Sequence, residues 1–128
     1  MDNLTTGKTF SSTTTVNANN IASSPHMGSG DIDVFATPAM IALMENAAML
    51  CVAQDLPNGF STVGINISTT HQKASLLGEK ITATATLIKI DGRKLSFTIT
   101  AFDSKGIIGV GLHERFIIDK EKFIAKLQ

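Results

Sequence analysis

Tryptophan and tyrosine are absent, and seven phenylalanines are the only aromatic residues. A chain without those amphipathic rings is poorly equipped to stack sugars or bases. A single cysteine excludes an internal disulfide and a zinc knuckle built from thiolates. Neither charge is in excess. The 11 basic and 11 acidic residues cancel, which argues against a nucleic-acid reader. The longest apolar stretch, Ala39 to Met44 and then Ala47 to Ala53, is interrupted by Glu45 and Asn46 and is too short to span a membrane. The first residues, MDNLTTGKTFSSTTTV, lack a basic segment followed by an apolar one and so do not read as a secretory signal. The expectation is a soluble, cytoplasmic protein.

What is present fits one folded domain over residues 1–128. At 43 % hydrophobic and 17 % charged, the chain is too apolar for disorder. Thr9 to Val16 is threonine-rich and suits a half-exposed strand. Asn17 to Asp33 is a long polar loop. Thr37-Pro38 then opens a run of alanine, methionine and leucine. This predicts a helix from about Pro38 to Gln54, with Thr37 as N-cap, ending before Pro57-Asn58-Gly59. The helix is apolar nearly all round, so burial on most sides is expected.

Beyond it the period changes to two. Strands are predicted over Ser61–Thr70, Ile81–Ile90, Leu95–Phe102 and Ile107–Ile118, with turns at Asp91-Gly92 and Ser104-Lys105-Gly106. Leu95, Phe97, Ile99 and Ala101 fall on one face. DKEKFIAKLQ ends the chain as a short helix or frayed tail. The layout is α+β: one strand, a long loop, a buried helix, and four consecutive hairpin-linked antiparallel strands wrapped about it. A chain this size leaves part of the helix and the sheet edges uncovered, and pairing into a homodimer through an edge strand or a sheet face is the simplest remedy.

Several polar residues stand where chemistry could occur. Glu45 lies mid-helix among apolar neighbours, where a carboxylate needs a partner. It serves acid–base chemistry, or else it points through a gap to solvent or pairs with a structural arginine. His71, after the second strand, is a base, a donor or a plain rim histidine. Gly64 breaks Val63-Gly64-Ile65 and marks either a bulge or a close backbone approach, and either could expose an N–H donor. His113 and Arg115 face one way on the last strand and Glu114 the other. Arg115 could pair with Glu45 or cap the sheet edge. Cys51, on the buried helix, reads as a small hydrophobe. Three scattered histidines do not make a metal site, and no glycine-rich phosphate loop precedes a helix.

Taken together, VFATPAMIALMENAA, STVGINISTTH and LIKIDGRKLSFTITAFDSKGIIGVGLHER resemble the hot-dog-fold thioesterases of the fluoroacetyl-CoA thioesterase group, over about Val34 to Lys126. The resemblance implies an antiparallel sheet of about five strands around one long buried helix. It also implies a homodimer with sites near the subunit interface, and hydrolysis of an acyl-CoA thioester. Coenzyme A would enter as part of the substrate, with no other cofactor. Carried over by position, the catalytic set falls on Thr37, Glu45 and His71, with Gly64 and Arg115 at the oxyanion and substrate-binding positions. The polar loop Ile21–Asp33 lacks the phenylalanines of the fluoroacetyl-specific enzyme, which implies a different short acyl group. Two alternatives belong to other classes. A non-catalytic acyl-CoA or lipid-binding module would not need the polar set. A hot-dog dehydratase would carry an Asn-Pro-containing motif that this chain lacks.

Overall fold

The structure, a computed structural model, describes residues 1–128. Strand β1 (Thr9–Thr15) precedes helix α1 (Thr37–Ala53), followed by β2 (Phe60–Thr69), β3 (Lys80–Asp91), β4 (Lys94–Asp103), β5 (Gly106–Asp119) and a terminal helix α2 (Lys120–Leu127). All pairings are antiparallel, in the order β1-β3-β4-β5-β2. Only β3, β4 and β5 form the expected hairpin series. β2 does not pair with β3 but crosses to the far edge beside β5, which leaves its other side unpaired. The segment between β2 and β3 carries no hairpin signal, and its length permits the crossing.

Alternation sorts the sheet cleanly. Ile81, Ala83, Ala85 and Leu87 of β3, with Leu95, Phe97, Ile99 and Ala101 of β4, are buried against the helix, whereas Thr82, Thr84, Thr98 and Thr100 lie on the other face. Three inward alanines let α1 approach the sheet closely. From the helix, Met40, Leu43, Met44, Ala47, Ala48, Cys51 and Val52 complete the core. Burial on most sides is not observed: Ala42, Asn46, Leu50 and Ala53 form an exposed stripe. One curled sheet covers one side of a helix, and apart from Leu50 the other side carries only alanine and asparagine, whose exposure costs little.

Thr37 is also not the N-cap. Ala36 holds that position with an extended backbone (ψ 139°) and no side-chain cap, so Thr37 and Pro38 are the first two helical residues. The terminal helix is capped conventionally, by Asp119 accepting from the Lys122 N–H.

Candidate active site

Two ties bring the start of α1 and the segment after β2 together. The Phe35 N–H donates to the Ser75 carbonyl at 2.9 Å, and Val34 bridges Leu76. The segment itself is stitched to β5, with Thr70 N–H on the Val110 carbonyl and Gln72 N–H on the Ile108 carbonyl. It is anchored below by buried Asp103, whose Oδ2 accepts from Lys73 Nζ and Ser75 Oγ, and whose Oδ1 accepts from the Lys105 N–H. Burial alone would raise the Asp103 carboxyl, but these donors prevail and hold it at about 2.

Between these anchors Thr37 Oγ1 and His71 Nδ1 lie 2.7 Å apart. The hydroxyl that would have capped the helix is turned to the imidazole instead. Burial pushes the His71 pKa below 6.5, partly offset by the Lys73 backbone, so the neutral ring is favoured. Its other nitrogen, Nε2, is buried and has no hydrogen-bond partner in this chain. This pair is a hydroxyl and a base in hydrogen-bond reach, with a third group missing.

The second cluster lies further along α1. Glu45 projects toward β2, and its Oε2 stands 3.5 Å from Arg115 Nη1. Both bland expectations for this carboxylate hold: it is paired with an arginine, and its side chain remains 41 % exposed. Arg115 is buried. Its Nε donates to Thr62 Oγ1 at 2.8 Å and its Nη2 to the Thr62 carbonyl at 3.0 Å. Burial lowers the Arg115 pKa and the Glu45 carboxylate opposes the shift. Gly64 meets both expectations for a strand glycine. The register slips between Gly64 and Asn66, and a Cβ at Gly64 would stand 2.7 Å from Glu45 Oε2.

Thr37 pairs with His71, and Glu45 with Arg115 and Gly64, but the two groups do not meet. The step of eight helical positions from Thr37 to Glu45 gives a rise of about 12 Å. Reading the sequence missed Thr62, which holds Arg115, and Gly109, where a Cβ would stand 2.9 Å from Met40 Sδ and also strike the Thr70 carbonyl. Gly109 carried a usable signal, a glycine within a strand pattern, the same signal that drew attention to Gly64. No cluster of three or more histidine, cysteine or acidic side chains is gathered as a metal-ligand set, and no helix is long and apolar enough to cross a membrane.

A five-stranded antiparallel sheet curled on one helix defines a hot-dog fold. A hot-dog-like protein from Thermanaerovibrio acidaminovorans shares the fold at TM-score 0.86 and 20 % identity, covering 98 % of this chain and 92 % of that one. The chain belongs to the family described as fluoroacetyl-CoA-specific thioesterase, whose model matches residues 16–121. The fluoroacetyl-CoA thioesterase of Streptantibioticus cattleyicolor is 42 % identical over 96 residues, 75 % of this chain and 69 % of that protein. A crystal structure of a mutant of the fluoroacetyl-CoA-specific thioesterase FlK superposes with TM-score 0.90 at 34 % identity, covering 99 % of this chain and 97 % of the other. A thioesterase superfamily member from Thermus thermophilus matches with TM-score 0.90 at 25 % identity, over 99 % and 93 % of the two chains.

Proposed function

We propose that the protein hydrolyses small acyl-CoA thioesters, with Thr37 as nucleophile and His71 as its base. The observation that carries this reading is the 2.7 Å Thr37–His71 contact, made by a threonine that leaves its helix uncapped. In the first half-reaction Thr37 Oγ attacks the thioester carbonyl and its proton passes to His71 Nδ1. Collapse of the tetrahedral intermediate breaks the C–S bond, and the coenzyme A sulfur takes the proton back. Water then attacks the acyl-threonine ester and gives a proton to His71; the C–O ester bond breaks, the acid leaves, and His71 returns that proton to Thr37 Oγ. A backbone N–H at the Gly64 bulge polarises the carbonyl, a contribution typically worth about 3 kcal/mol. No redox change occurs, and coenzyme A enters only as part of the substrate. The acyl group is small and other than fluoroacetyl, since the loop from Ile21 to Asp33 contains no aromatic residue.

The working unit is a homodimer in this reading. His71 Nε2 lacks an acceptor, and Glu45 of the same chain is two helical turns away. β2 is an edge strand with a free side. An antiparallel pairing of two β2 strands centred on Ile67 places Gly64 of one copy opposite Thr70 of the other, next to its His71. The Glu45–Arg115–Gly64 cluster of one copy then faces the Thr37–His71 pair of its mate. Glu45 becomes the acceptor for the Nε2 proton.

Thiol release from a panel of short-chain acyl-CoAs tests the reading, run beside Glu45→Ala and His71→Ala variants first shown to be folded and of native oligomeric state. The expected result is release by the native protein and a loss of at least about 10²-fold in both variants. Binding of acyl-CoA without thiol release from any member would replace this reading with a binding module. An enoyl thioester product would point to dehydration.

A further inference from the structure

His113 takes no part in the chemistry above, yet it is a buried histidine, 2 % exposed, set beside the carboxylate cluster. Its partners fix its protonation. Arg115 Nη1 lies 3.1 Å from His113 Nε2. A guanidinium has donors and no acceptor, so Nε2 must accept and carry no proton. On the other side Nδ1 lies 2.7 Å from the Asn66 carbonyl, which can only accept, so Nδ1 must carry the proton. Both contacts demand the same neutral tautomer.

The surroundings make the ring more than filler. Nε and Nη2 of Arg115 are already committed to Thr62, so Nη1 is the tip left to face Glu45. The bond from that tip to His113 is the one that sets its angle. The Asn66 carbonyl closes the bulge that begins at Gly64, and His113 Cε1 is 3.2 Å from where a Gly64 Cβ would stand. The ring of Phe97, from β4, backs the imidazole with centroids 6.2 Å apart.

We propose that His113 is a positioning residue that acts through Arg115: its unprotonated Nε2 holds the guanidinium tip against Glu45 while its Nδ1–H pins the Gly64–Asn66 bulge. The inference rests on the reading of Glu45 as part of the reacting site. The charged groups near the ring are Arg115 of β5 and Glu45 of α1, with Glu114 on the opposite face of β5 paired to Lys94. Burial, and then Arg115, favour the neutral ring, while the Asn66 carbonyl, Glu45 and Glu114 oppose them. A protonated ring would turn an N–H toward the guanidinium, where two cations would meet donor to donor, and the tip would swing away from Glu45.

Two conservative variants separate the two bonds. The amide oxygen of His113→Gln can stand near the position of Nε2 and accept from Arg115. The amide nitrogen of His113→Asn can stand near Nδ1 and donate to Asn66. The expected result is a kcat within about tenfold of native for His113→Gln and a loss of about 10²-fold for His113→Asn, with KM changed less than about threefold in each. Adding His113→Asn to Arg115→Met should cost nothing further, because the effect runs through the arginine. Nitrogen NMR of the native protein should show Nδ1 protonated and Nε2 bare at neutral pH. Equal losses in Gln and Asn, additive losses with Arg115→Met, or the opposite tautomer would each overturn the proposal. Full activity in Arg115→Met would instead show that the Glu45 cluster is not part of the reacting site, and the inference would fall with it.

Discussion

Because burial keeps His71 neutral below its ordinary range, the proposed base remains available in mildly acid solution. The sign is that of a depressed histidine: protonation, and with it loss of activity, comes at lower pH than for a free imidazole. The acid limb of kcat/KM should therefore fall below pH 6.5. A limb at or above that value would remove His71 as the base. At this scale the sequence was informative about identity and poor about contacts. Glu45 stood out because a carboxylate inside an apolar helix needs an explanation. Thr37 looked like a cap because threonine before proline satisfies every local rule for one, and only tertiary structure turns its hydroxyl toward His71. His113 and Arg115 were readable as sharing a face of β5, but their link to Thr62 and Asn66 depends on a strand some 50 residues away.

Two elements hold the clusters, and each can be loosened without replacing a reacting side chain. In β2, Gly64→Ala would put a methyl 2.7 Å from Glu45 Oε2 and 3.2 Å from His113 Cε1. The carboxylate ends a flexible side chain and can give way, so the variant should fold. Displacing it should still cost on the order of 10²-fold in kcat. Matched native and variant melting temperatures beside an unchanged kcat would show that the close approach has no consequence for turnover. In the segment after β2, Asp103→Asn removes the carboxylate that Lys73 and Ser75 share. A loss of about 1–3 kcal/mol in stability is expected, with a fall in activity as His71 loses its footing. Since folding lowers this carboxyl from 3.8 to about 2, its contribution is present above 3.8 and disappears as pH falls through about 2. Acid melts of the native protein and the Asn variant should therefore converge across that window, and parallel curves would refute the assignment. The strands themselves were legible to within a residue or two from alternation. The crossing of β2 to the far edge was not, because period and turn residues specify a strand and its face but not its neighbour.

For the whole molecule, mixing tests whether two copies share a site. Thr37→Ala and Glu45→Ala should each be inactive alone. Refolded together at equal amounts, half the dimers are mixed, and each carries one intact composite site, so about a quarter of native activity should return. No recovery would place the whole reaction within one chain. The family was legible from the order of three segments, and the fold it implies agrees with the layout read independently from period and turn signals. The sequence left the sharing of a site open: the gap of about 12 Å along α1 between Thr37 and Glu45 was already readable, but either a turn folded back before the helix or a partner subunit could close it. That gap gives the helix the character of a safety spacer. Under the proposed sharing, a newly folded chain carries both halves of the chemistry at a fixed distance from each other and can use neither. In the dimeric reading hydrolysis begins only on encounter with a second chain, so specific activity should collapse on dilution and return on concentration. The supply of the protein itself becomes the switch.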